Sequence, residues 1–96
     1  MTKLDEYRIE IDEIDRELVQ LFEKRMETVL KVANYKKENG MEVLQSSREE
    51  VVLQKAVDNL NDKKYENDIR EVFELLMRLS RESQKKSLNC IDYNLE

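Results

Sequence analysis

Residues 4–40 read LDEYRIEIDEIDRELVQLFEKRMETVLKVANYKKENG. In the first half of this stretch Leu4, Tyr7, Ile11, Ile14, Leu18 and Leu21 recur at alternating steps of three and four. That spacing is a heptad-like helical seam. The stretch ends on lysines and then Gly40, the only glycine of the chain. Basic side chains near the last carbonyls, followed by glycine, form a helix stop. The pattern predicts one helix over residues 4–38, roughly 50 Å long at ~1.5 Å per residue. Such a helix outruns any globule that 96 residues make alone. Its far end needs something to pack on, and a second copy of the chain is the simplest candidate.

Beyond Gly40 the pattern resumes. Ser46 with Glu49, and Ser47 with Glu50, have capping-box spacing, and Val52, Leu53, Ala56, Val57 and Leu60 follow. A second helix is expected from about Ser46–Ser47. The segment NDKK at 61–64 reads as a short polar turn. A third helix is expected from about Tyr65 to Ser87, with Ile69, Val72, Phe73, Leu76 and Leu79 on its apolar face. The fold class is therefore all-α, three helices per chain with a long first one. Residues 1–88 make one domain. The tail 89–96, which holds Cys90, lacks helical patterning and is expected to be disordered.

Composition narrows the function. The chain has no proline and no histidine, and 41% of it is charged, with a net charge of −5. A nucleic-acid binder would carry a basic face instead. Local charge still permits a small anionic ligand. No run of ~18 apolar residues is present, so no membrane span is expected. The first ten residues have no apolar signal core, and a cytoplasmic location is the expectation. A lone cysteine forms no internal disulfide. No metal-ligand cluster stands out.

Polar residues interrupt the apolar tracks. In steps of seven the seam runs Leu4, Ile11, Leu18, Arg25, Val32, so Arg25 holds a core-facing position. The adjacent stripe runs Phe22, Val29, Lys36. Arg25 and Lys36 share one helix face, roughly 16 Å apart along the axis. On helix 2, Gln45 and Glu49 continue the apolar stripe backwards, with Arg48 beside them. On helix 3, Phe73 and Leu76 lead on to Ser80, Ser83 and Gln84. Taken singly, each charge also reads as a solvated surface group, and Lys36 as a partner of the helix dipole. Taken together, three polar zones facing one another make a cation-rich pocket in a helical bundle.

These residues resemble a known family, the all-helical (AroQ-type) chorismate mutases, over about residues 4–88. Arg8 before Ile11, Ile14 and Asp15, then Leu21–Phe22 with Arg25, then Val32 and Lys36, resemble the family's long first helix. VLQSSREEVVL, with the pair Arg48–Glu49, resembles the loop into its second helix. LLMRLSRESQKKSL, with Ser80 and Gln84 four apart, resembles its last. Many relatives are acidic where this chain has Gln45.

The resemblance implies an intertwined homodimer that rearranges chorismate to prephenate in phenylalanine and tyrosine biosynthesis, with no cofactor. Lys36, Gln84 and Glu49 would be catalytic: Lys36 and Gln84 donate to the ether oxygen, while Glu49, with Gln45 nearby, accepts from the ring hydroxyl. Arg25, Arg48 and the partner's copy of Arg8 would grip the two carboxylates, with Ser80 helping. Geometry agrees about Arg8: it precedes Lys36 by 28 residues, about 42 Å along a helix, so one small dianion cannot touch both on one chain. Nothing resembles an attached dehydrogenase, dehydratase or synthase, so a free-standing enzyme is expected. Two other readings stand beside this one: a non-catalytic dimeric helical interaction module, and an isochorismate pyruvate lyase on the same fold.

Overall fold

The computed structural model describes residues 1–42 and 46–94. Three helices carry the chain: α1 (Lys3–Glu38), α2 (Ser46–Asp58) and α3 (Glu66–Asn94), with a single 3₁₀ turn, Lys63–Tyr65, before α3. Among the described residues there is no strand, and the fold is all-α as the sequence predicts.

The two ends of α1 are closed by local chemistry. At the start, Thr2 and Asp5 form a capping box: the Asp5 backbone N–H donates to Thr2 Oγ1 at 3.1 Å, and the Thr2 N–H donates to Asp5 Oδ2 at 3.2 Å. Two orphan amides are thereby satisfied, and Asp5 and Glu6 complement the positive end of the helix dipole. At the other end Gly40 takes φ 65°, the left-handed conformation that glycine adopts without steric cost. The Gly40 N–H then reaches the Lys37 carbonyl at 3.3 Å, and the Met41 N–H reaches that of Lys36 at 2.8 Å. This pair of bonds is a Schellman motif. It fixes the last turn, the turn that carries Lys36.

α3 is the hub, packed against both α1 and α2. Among the described residues the buried apolar side chains are Ala33, Leu53, Ala56, Val57 and Met77. All of them belong to α2, the middle of α3, or the C-terminal half of α1. The link between α2 and α3 is held by Lys63, whose Nζ donates to the Val57 carbonyl at 2.6 Å. Asp62 caps the 3₁₀ turn by accepting from the Lys64 N–H at 3.0 Å. The expected polar turn at 61–64 therefore exists, partly as 3₁₀ helix.

Two features differ in detail from the sequence reading or extend it. α3 does not stop near Ser87 but continues to Asn94; residues 88–94 contain no glycine or proline to break it. Among the described residues little covers the first half of α1. Its seam, Leu4 to Leu21, is 53–62% exposed at Leu4, Tyr7, Ile11, Ile14, Leu18 and Leu21. The chain measures 59 × 29 × 16 Å, drawn out by this helix. Among the described residues no helix is long and apolar enough to cross a membrane. Gln45 lies outside the described residues, as do residues 95–96 and the side chain of Cys90.

Candidate active site

The C-terminal half of α1, the head of α2 and the later part of α3 line an open cavity of about 540 Å³. α1 contributes Arg25, Val29, Val32 and Lys36, a single stripe at helical spacing. α2 contributes Arg48, Glu49 and Val52 from its first two turns, and α3 contributes Met77, Ser80, Arg81 and Gln84. Six of the eight residues singled out in the sequence thus meet around one space: Arg25, Lys36, Arg48, Glu49, Ser80 and Gln84. Arg8 does not join them. It sits near the opposite end of α1, 17 residues before Arg25, about 25 Å along the axis.

Arg25 is held by two contacts. Its Nη1 donates to Ser80 Oγ at 2.8 Å. Its guanidinium carbon lies 6.0 Å from the centre of the Phe73 ring, within cation–π range. Burial lowers its pKa from the ordinary arginine value by disfavouring the charged form. Arginine nonetheless remains protonated in proteins. Among the described residues no carboxylate pairs with it. A partly desolvated guanidinium without a protein counter-ion is a site prepared for an anion from outside.

Among the described residues, the buried polar side chains of α3 are Ser80 and Gln84, 7% and 8% exposed. Ser80 Oγ accepts from Arg25 and donates to the Leu76 carbonyl at 2.7 Å. Gln84 Nε2 donates to the Val29 carbonyl at 3.2 Å. A carboxamide nitrogen carries two protons, so this bond leaves a second donor for a ligand. Both residues stitch α3 to α1 across the cavity wall.

Sequence reasoning missed Arg81. It lines the same cavity, and its Nη1 donates to Glu49 Oε2 on α2. Read along the chain it is one charge among many in LSRESQKK. The available signal was positional: it lies between Ser80 and Gln84, three residues before the latter, on the same helix face.

Charge defines the site. Lys24, Arg25, Lys36, Arg48 and Arg81 are set against Glu49, the one carboxylate of the lining among the described residues, with apolar walls from Val29, Val32, Val52 and Met77. The fold and site together define an all-helical protein with a cationic, small-molecule-sized pocket. Comparison with known proteins gives that class its family. The family model described as chorismate mutase type II matches residues 7–85, and the chain belongs to this family. A bifunctional chorismate mutase/prephenate dehydratase of Buchnera aphidicola subsp. Schizaphis graminum is 38% identical over 97 residues, 94% of this chain and 24% of that protein. The T-protein of Haemophilus influenzae is 44% identical over 54 residues, 56% of this chain and 14% of its own length. A second bifunctional chorismate mutase/prephenate dehydratase, from Buchnera aphidicola subsp. Acyrthosiphon pisum, is 35% identical over 85 residues, 85% of this chain and 22% of that protein. The chain spans at most about a quarter of the length of these relatives.

Proposed function

We propose that the protein is a chorismate mutase, converting chorismate to prephenate in the cytoplasm as a step toward phenylalanine and tyrosine. The observation that carries this reading is Arg25: a partly buried cation on the apolar seam of α1, held by Ser80 and Phe73 and facing a cavity shared with Lys36 and Arg48. Family membership supplies the reaction that such a pocket serves.

The rearrangement is internal to the substrate. One C–O bond breaks as one C–C bond forms, and no atom is gained or lost. The enzyme has two tasks. It holds the flexible dianion in its compact reactive shape, which is a positioning effect. It also stabilises negative charge that grows on the ether oxygen as the bond breaks. Arg25 and Arg48 meet the carboxylates with their planar N–H forks. Ser80 serves this grip through Arg25, because its own proton goes to the Leu76 carbonyl. Lys36 and the second amide proton of Gln84 donate to the ether oxygen. Glu49 accepts from the ring hydroxyl.

The active form in this proposal is a homodimer. The open seam of α1 is the surface a second chain would cover, and an antiparallel partner would carry its Arg8 to the pocket. This supplies the cation that a single chain holds at the far end of its own helix. The test is a spectrophotometric assay of chorismate and, separately, isochorismate disappearance with identification of the product. Prephenate from chorismate is expected; release of pyruvate from isochorismate would show a lyase instead, and both substrates unchanged would leave a helical interaction module.

A further inference from the structure

Arg81 and Glu49 join α3 to the first turn of α2 by an ion pair 32 residues apart in the chain. The two side chains are 37% and 33% exposed. A pair this open to water is screened and adds little to stability. Its placement is more informative. Glu49, Arg81 and Met77 line not only the cationic cavity but also a neighbouring one of about 510 Å³, which touches Ser47, Glu50, Leu53 and Glu74. The ion pair and Met77 form the wall between the two spaces.

The charges on either side of that wall pull Glu49 in one direction. On the near side stand Lys24, Arg25, Lys36 and Arg48; on the far side stand Glu50 and Glu74. A glutamate side chain turns about three bonds. Without a local anchor it is drawn toward the four cations and away from the two acids. There it would neutralise the charges that a dianionic substrate needs, and it would leave the ring hydroxyl without its acceptor. Arg81 opposes this pull by holding Oε2 at the wall. A carboxylate has two oxygens with about four acceptor positions, so the pair leaves room for a hydroxyl donor.

We propose that Arg81 is a positioning residue of the pocket that acts through Glu49, holding its carboxylate at the wall and off the cations that grip the substrate. This rests on the chorismate mutase reading given above. The ring hydroxyl remains an alcohol throughout the rearrangement, and the carboxylates keep their charge. The effect of Arg81 is therefore nearly equal in the bound substrate and the transition state, and it falls on KM rather than kcat.

The test measures kcat and KM for chorismate, with thermal midpoints, for wild type, Arg81→Leu, Arg81→Lys, Glu49→Gln and the Glu49→Gln/Arg81→Leu double variant. Arg81→Leu should raise KM about tenfold while kcat changes less than about threefold. Its midpoint should stay close to that of wild type. Arg81→Lys should recover most of the loss, because an ammonium still reaches the carboxylate. In the Glu49→Gln background, where no charge is left to stray, Arg81→Leu should add little. Additive losses in that background overturn the proposal, since Arg81 would then attract substrate directly. So does an unchanged KM in Arg81→Leu. Should leucine prevent folding, Arg81→Gln is read by the same criteria. A wild-type chain that leaves chorismate unchanged overturns the mutase reading and this proposal together, whereas an active wild type with an indistinguishable Arg81→Leu overturns only the role of Arg81.

Discussion

Arg25 donates from Nη1 to the Oγ of Ser80 at 2.8 Å, and that hydroxyl passes its own proton to the Leu76 carbonyl at 2.7 Å. The two residues are 55 positions apart and on different helices. Ser80 thus works as a one-way bracket: its lone pair is turned to α1 and its proton is consumed within α3. Arg25 keeps four of its five N–H donors after this bond, and the cavity is where they have room to act. The arrangement costs stability, because a seam position that could hold an apolar side chain holds a cation instead.

Replacing Arg25 by leucine should separate stability from function. Leucine continues the track of Leu18 and Val32 and removes a partly desolvated charge, so the thermal midpoint should hold or rise, by up to about 1 kcal/mol of stability. Chorismate turnover should fall at least about a hundredfold in kcat/KM, as a charged hydrogen-bonding partner of the substrate is lost. Circular dichroism melts and steady-state kinetics on the same preparation check both. A variant that is less stable and fully active would contradict the assignment.

Lys36→Ala should act on the chemical step. An electrostatic donor at a developing negative charge supplies ~3–4 kcal/mol, so kcat should drop by two to three orders of magnitude. The melting curve should change little, since Lys36 lies in the last turn of α1. Wild-type kcat in this variant would remove Lys36 from the ether oxygen.

Gly40→Ala tests the cap beneath that lysine. A Cβ at Gly40 meets no atom within 4 Å, so crowding is not the issue. The cost is the φ of 65°, which alanine adopts unwillingly. About 1 kcal/mol of destabilisation is expected, seen as a drop of several degrees in the midpoint at fixed protein concentration. Gly40→Asn should lose less, because asparagine tolerates the left-handed region better.

Mixing inactive chains tests whether the pocket is shared. Arg8→Ala and Lys36→Ala homodimers should each be nearly inactive. A heterodimer of the two concentrates both lesions in one pocket and leaves the other whole. With free exchange at equal amounts, about a quarter of the wild-type activity should return. Failure to recover after subunit exchange has been demonstrated by mass spectrometry would sink the shared site.

Much of this arrangement is legible in the sequence because helices impose a period. Arg25 is conspicuous only because Leu18 and Val32 flank it at steps of seven, and Lys36 because Phe22 and Val29 precede it. Gly40 marks the end of α1, and Ser46 is where α2 begins. Ser80 and Gln84 fall on the track of Phe73 and Leu76 and are buried polar side chains of α3. Arg81 escapes the same logic because its value lies in a partner on another helix, and no intrahelical period encodes Glu49. The far end of α3 escapes for the opposite reason. A helix can continue where no apolar face requires it, so long as nothing breaks it, and periodicity is silent about such a stretch.

The bare first half of α1 has a practical corollary for anyone handling this protein. Leu4, Ile11, Ile14 and Leu18 contribute little to the cohesion of an individual chain. If they serve to recruit a companion, catalysis becomes a matter of abundance, strong in concentrated solution and fading on dilution long before any helix unwinds. Polar replacements there would then move the dilution midpoint while leaving the chemistry of an assembled molecule untouched.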